Sequence, residues 1–220
     1  MGKDYNNIVI ISADRSGSTA FQHNLLGPIF NNNTILWLGE CFSQDSGKGQ
    51  PPKWYNPKLY NPKQVIDIVN IGTGKSVLVK IQITYPNFSN DFLNISSKRK
   101  IFFHRNLFDS TLSRCIAQKT GKWLSLQEKQ NVENIEISEE FFLSRLHWRI
   151  EQYMKHLDNV LEWSNEIYRY ETYKYSKNLF IKKNKDKKLI VKNYDKLKKI
   201  FEKQKDIKII ENKIIFKSNA

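Results

Sequence analysis

Apolar residues run unbroken from Ile8 to Ile11, and the segment Asp14 to Ser18 interrupts the pattern. A short β-branched run of this kind predicts a buried strand, and Ser18 or Thr19 can cap a helix that follows it and ends near Gly27 and Pro28. Thr34 to Leu38 predicts a second short strand, terminated by Gly39 and Glu40. Pro62 to Asn70 suits a short helix, Val77 to Thr84 a third strand, and Ile101 to His104 a fourth. From the end of that strand a helix runs to about Gly121. Ser138 caps a long amphipathic helix in which Phe142, Leu146, Tyr153, Leu157 and Val160 recur at helical intervals, which marks the stripe as core. Glu166 to Tyr170 is the weakest strand, because Glu166 and Arg169 interrupt it. In the tail, Tyr194 to Lys203 suits a helix and Ile207 to Phe216 a small hairpin turning at Glu211 and Asn212.

Strands alternating with helices predict an α/β fold with a mainly parallel, roughly five-stranded sheet flanked by helices. At 220 residues the chain is expected to form one domain, 1–220, whose last part, 176–220, is a Lys-rich extension. Ligands of parallel sheets collect beyond the carboxyl ends of the strands. Arg15, Glu40, Gln82, Arg105 and Tyr170 fall at or just past predicted strand ends, each from a different strand.

The net charge of +14 changes the picture less than its size suggests. From Ser176 onward there are 15 lysines against five acids, so ten of the fourteen excess charges belong to the tail. A solvated tail explains them, and with no zinc-finger spacing, aromatic RNA-binding signature or helix-turn-helix pattern, nucleic acid is disfavoured as a partner. No stretch approaches the roughly 20 apolar residues of a membrane span, and no basic, apolar leader opens the chain, so a soluble cytoplasmic protein is expected. Cys41 and Cys115 sit in no Cys-x-x-Cys pattern and are expected to be buried thiols; no cluster has metal-ligand spacing, so no metal is predicted. Ser43 to Pro62, with Trp54, Tyr55 and Tyr60 among Gly, Pro and Ser, reads as a long loop, either a lid over an acceptor or a loop pinned to the surface.

The loop after the first strand has one glycine, Gly17, and a cation, Arg15, ahead of a helix. That is a design for holding phosphate. The loop of nucleotide triphosphatases needs Gly-x-x-x-x-Gly-Lys-Ser/Thr, which is not met here. Gly72-Thr73-Gly74-Lys75-Ser76 matches only the end of that motif and leads into a strand rather than a helix, so it reads as a turn.

Asp14-Arg15-Ser16-Gly17-Ser18-Thr19 resembles the 5′-phosphosulfate loop of sulfotransferases that use 3′-phosphoadenosine 5′-phosphosulfate (PAPS), with Asp14 where the family has proline. Arg105-Asn106-x-x-Asp109-x-x-x-Ser113 resembles the same family's 3′-phosphate motif. Gln118-Lys119-Thr120-Gly121-Lys122-Trp123 is similar to the helix ending of the bacterial trehalose-type branch, with Lys119 inserted. Tyr170-Glu171 is similar to a Tyr-Glu-Asp pattern, with Thr172 for the aspartate. Leu38-Gly39-Glu40-Cys41-Phe42 resembles the Gly-Glu-x-Phe pattern of branches with a glutamate base, and the third predicted strand has Gln82 where cytosolic animal enzymes place a histidine after Lys-x.

The resemblance implies a P-loop-like sandwich and a transferase that moves a sulfuryl group from PAPS, without a metal, to a hydroxyl acceptor such as a carbohydrate or glycolipid. It implies that Arg15, Ser16, Gly17, Ser18 and Thr19 hold the 5′-phosphosulfate, that Arg105 and Ser113 hold the 3′-phosphate, and that Tyr170 lies beside the adenine. Glu40 would be the general base, and Arg15 and Lys80 would stabilise the leaving phosphate. Two alternatives stay open: a small-molecule or nucleotide kinase on a related fold, and a non-catalytic protein that binds a nucleotide or polyanion.

Overall fold

A computed structural model of the protein describes residues 5–14, 18, 21–22, 35–42, 61–84, 88–121, 134–173 and 187–218. Five parallel strands form one sheet: β1 (Ile8–Ser12), β2 (Ile35–Gly39), β3 (Ser76–Gln82), β4 (Arg99–His104) and β5 (Glu166–Arg169), in the order β2-β3-β1-β4-β5. Helices α1 (Pro62–Thr73), α2 (Leu107–Thr120), α3 (Glu139–Trp163), α4 (Lys187–Ile190), α5 (Tyr194–Glu202) and α6 (Lys205–Ser218) complete the described elements, together with a 3-10 turn at Asn90–Asn94. This is the α/β fold that the alternation predicts.

The central position of β1 follows from its composition. All five of its residues are buried, and a strand of unbroken Ile and Val can sit only where both faces are covered. Alternate residues point to opposite faces. Val9, Ile11, Val79, Ile81 and Phe102 join the larger core with α1, α2, α3 and the tail helices, whereas Ile8, Ile10, Leu78, Ile101 and Phe103 pack on the other face against Phe21. Phe21 lies in the helical segment after the β1 loop and stacks on Phe103 at 4.4 Å between ring centroids. The connection from β1 leads toward β2 on one side, and those from β3 and β4 lead to the other. The loop after β1 therefore leaves the sheet at its topological switch point.

Local chemistry sets the element ends. Asn61 and Gln64 form a reciprocal capping box at the start of α1, and Gly74 closes that helix in the left-handed region at φ 65°. Gly74 is thus a helix cap at the amino end of β3, on the opposite edge of the sheet from the strand ends that could hold a ligand. Ser138 caps α3 by accepting from the Phe141 N–H. One of the two charges that weaken β5 on paper is paired across the sheet: Arg99 of β4 donates to both Glu166 oxygens, each at 2.7 Å.

The tail corrects one expectation. Residues 207–216 form no hairpin; they belong to α6. Ile207, Ile210 and Ile214, at helical spacing, are buried in the larger core with Val191 and Leu197, whereas Ile209 is exposed, as two-residue alternation would not allow. The segment contains no glycine or proline to make a tight turn, and a helix lets three isoleucines close the core beside α3. The described part of the Lys-rich extension is therefore helical and integral to the core. Among the described residues no helix is long and apolar enough to cross a membrane.

Candidate functional site

At the carboxyl edge, β2 ends in a kink. Its pairing with β3 shifts register between Trp37 and Gly39, and Gly39 adopts φ 57°, a conformation open to glycine at little cost. The next residue, Glu40, thereby lies against β3. Its Oε1 forms an ion pair with Lys80 Nζ, and its Oε2 accepts from Gln82 Nε2 at 2.9 Å. Lys80 is only 4% exposed, and the carboxylate offsets the cost of burying a cation there. Lys80 and Gln82 share a strand face and sit in register with Ile10 and Ser12 of β1. Ser12 is fully buried on that face, and its hydroxyl has no hydrogen-bond partner among the described residues.

On the other side of β1, Arg105 follows β4 directly, and its guanidinium lies 4.2 Å from the ring centroid of Tyr170, which follows β5. The Arg-Asn-x-x-Asp spacing has a structural component: Asn106 caps α2 by accepting from the Asp109 N–H at 2.7 Å and donates to Asp109 Oδ2 at 2.9 Å. Glu171 accepts from the Asn106 backbone N–H at 2.9 Å. The backbone donors of Asn106 and Asp109 at the start of α2 are thus taken by protein side chains. Ser113 stands half-buried two turns into α2, next to Arg114.

Between these clusters lies the end of β1. Ser18 is buried at the start of the helical segment; Arg15, Ser16, Gly17 and Thr19 lie outside the described residues, as do most of Ser43 to Pro62 and the Lys122-Trp123 pair. Asp14, which opens the loop, has a role that sequence reasoning missed. Arg149 Nη2 and Arg114 Nη1 each donate to its carboxylate at 2.6 Å, Thr84 Oγ1 donates at 3.1 Å, and Arg149 Nη1 reaches the Asp14 carbonyl at 3.1 Å. Burial opposes the charged form, but Arg149 and Arg114 outweigh it and hold the Asp14 carboxyl below the ordinary range. Arg114 is itself stacked over Trp148 at 4.7 Å.

No protein-family model and no curated protein matches the chain.

The site residues expected from the sequence therefore stand as follows. Glu40 and Lys80 touch one another; Arg105 and Tyr170 touch one another; Ser18 is buried after β1, and among the described residues Ser113 forms no hydrogen bond with either pair. Asp14 and Arg149 were legible in one respect. Arg149 falls on the apolar stripe of α3, seven residues after Phe142 and four before Tyr153, and a cation there requires a buried anion.

Other reactive groups are held inert. Burial pushes the Cys41 thiol up to about 12 and that of Cys115 to about 11, so neither is a thiolate near neutrality. Among the described residues no group of His, Cys, Asp and Glu could hold a metal ion. His104 is 2% exposed, and its Nδ1 lies 3.3 Å from the Tyr153 hydroxyl. Burial, followed by Arg169 and Arg149, pulls its pKa down to about 3. The folded state therefore keeps His104 neutral at pH values where the unfolded chain binds a proton, near 6.5. This stability is complete above that value and is lost as pH falls toward about 3. From pH 7 to pH 5, His104 alone is expected to cost about 2 kcal/mol, read by urea unfolding at both pH values. His104→Gln should flatten that loss; an undiminished loss in the variant would assign it to other groups.

Proposed function

We propose that the protein transfers a sulfuryl group from PAPS to a hydroxyl acceptor, a carbohydrate or glycolipid being the class the resemblance favours. One observation carries the reading. The Glu40-Lys80-Gln82 cluster and the Arg105-Tyr170 pair come from separate strands and lie along one carboxyl edge, on either side of the end of β1. Two cationic groups flanking the switch point suit a nucleotide with phosphates at both ends, and Tyr170 gives its base an aromatic neighbour.

In this reading PAPS supplies an activated sulfuryl group whose charge is spread over its oxygens, so the protein contributes position and charge rather than a covalent intermediate, by analogy with phosphoryl transfer. Glu40 takes the acceptor's proton as its oxygen bonds to sulfur and the bond from sulfur to the nucleotide phosphate breaks. Both Glu40 oxygens have a protein partner, but each carboxylate oxygen accepts more than one hydrogen bond, so a hydroxyl can still donate there. Gln82 cannot take a proton; it aims Glu40 instead. Lys80 and Arg15 oppose the charge that develops on the leaving phosphate.

The test is made with two nucleotides. Arg105→Ala should weaken binding of 3′-phosphoadenosine 5′-phosphate (PAP) by roughly tenfold or more, the usual effect of losing a charged hydrogen bond, and should weaken adenosine 5′-phosphosulfate, which lacks the 3′-phosphate, much less. Calorimetric titration reads both. Equal weakening of the two ligands would remove Arg105 from the 3′-phosphate.

A further inference from the structure

The tail helix α6 presents a second, unrelated surface. Its residues 207, 210 and 214 are buried, whereas 205, 208, 209, 212 and 216, spaced i, i+3, i+4, i+7 and i+11, are all exposed. That periodicity puts them on one face, which reads Lys205, Lys208, Ile209, Asn212 and Phe216. Phe216 is 79% exposed and Ile209 45%. A helix that covers a core normally turns polar groups outward, yet this one holds a phenylalanine almost wholly in water.

The charge around the face narrows what could cover it. Lys198, Lys199 and Lys203 of α5 and the turn before α6 are exposed as well, and over 198–217 six exposed lysines outnumber two exposed acids, Glu202 and Asp206. The complement of such a face is anionic at its rim and apolar at its centre. A second copy meeting it about a two-fold axis would set lysines against lysines. A nucleic acid would satisfy the lysines but gain nothing from Ile209. An anionic lipid bilayer satisfies both, because aromatic and aliphatic side chains enter the boundary between headgroups and acyl chains while lysines meet the headgroups.

We propose that the outer face of α6 docks the protein reversibly on anionic phospholipid bilayers, with Phe216 and Ile209 inserted and Lys205 and Lys208 on the headgroups. The proposal is independent of the sulfuryl-transfer reading. Each signal alone is weak, about fivefold per lysine near a charged surface, and the two together give useful binding.

The experiment is co-sedimentation of the full chain with vesicles of phosphatidylcholine alone and with about 30% phosphatidylserine. Binding is expected to the mixed vesicles and not to phosphatidylcholine, and to fall as salt rises. The double variant Ile209→Ser/Phe216→Ser should bind the mixed vesicles about tenfold or more weakly, as should Lys205→Glu/Lys208→Glu. Both pairs are exposed, so their thermal unfolding should match that of the wild type, which separates lost docking from lost folding. Undiminished binding by the serine variant would mean adsorption by charge alone and would overturn the proposal. So would absence of binding to the mixed vesicles, or a dimer in sedimentation velocity that Phe216→Ser dissolves.

Discussion

Asp14→Ala is expected to destabilise the protein by about 3–5 kcal/mol, the range found when one partner of a buried ion pair is removed. The reason is Arg149. Its side chain is 0% exposed, its Nη2 donates to Asp14 at 2.6 Å, and its other described hydrogen bonds go to backbone carbonyls, which carry no compensating charge. Removing Asp14 strands this cation, whereas Arg114, with a side chain 21% exposed, can turn toward water. The strain should be relieved by removing the stranded charge as well: Asp14→Ala/Arg149→Met is expected to be more stable than Asp14→Ala alone. Urea unfolding of the wild type, Asp14→Ala, Arg149→Met and the double variant reads the coupling. A loss below about 1 kcal/mol for Asp14→Ala would show that Arg149 has adequate compensation elsewhere. Because Asp14 opens the β1 loop and its partners lie on α2, α3 and just past β3, the same network fixes where that loop leaves the sheet.

Glu40→Gln is expected to lower turnover by roughly 10² to 10⁴, the contribution of a positioned base, while PAP affinity is retained. The substitution is not isosteric in charge, since Lys80, nearly buried, loses its counter-ion. Some stability should therefore be lost too, and turnover is compared at a temperature where the variant remains folded, with PAP binding as the control. An acceptor must first be found with labelled PAPS and a panel of sugars and glycolipids. Near-normal turnover in Glu40→Gln would place the base elsewhere. His104 is poorly suited to that role, because its ring is buried against Tyr153 and its pKa is pulled down to about 3.

The sheet was legible because its strands obey simple rules. Ile8 to Ile11 has no polar residue to expose, Val77 to Ile81 is interrupted only by Lys80, and both proved central. The start of α3 was legible because its cap, Ser138, has a side-chain oxygen. What escaped depended on partners far apart in sequence. Glu40 looked isolated, and nothing in its neighbourhood announces that Lys80 and Gln82, some forty residues on, engage its two oxygens. Asp14 looked like a departure from a motif; its reason lies on α3, 135 residues later. The hairpin expected at 207–216 failed because Ile207 and Ile209, and Ile214 and Phe216, satisfy a two-residue period as well as a helical one. Only the need to close the core beside α3 selects the helix.

The central claim is that the edge formed by Glu40, Lys80, Arg105 and Tyr170 binds a nucleotide carrying a 3′-phosphate. Thermal unfolding of the wild-type chain with PAP, and separately with ATP and magnesium, tests it most directly, because a ligand that binds only the folded state raises the unfolding temperature. The account predicts a rise with PAP that grows with its concentration and that ATP with magnesium does not match. Stabilisation by ATP with magnesium and none by PAP would contradict it.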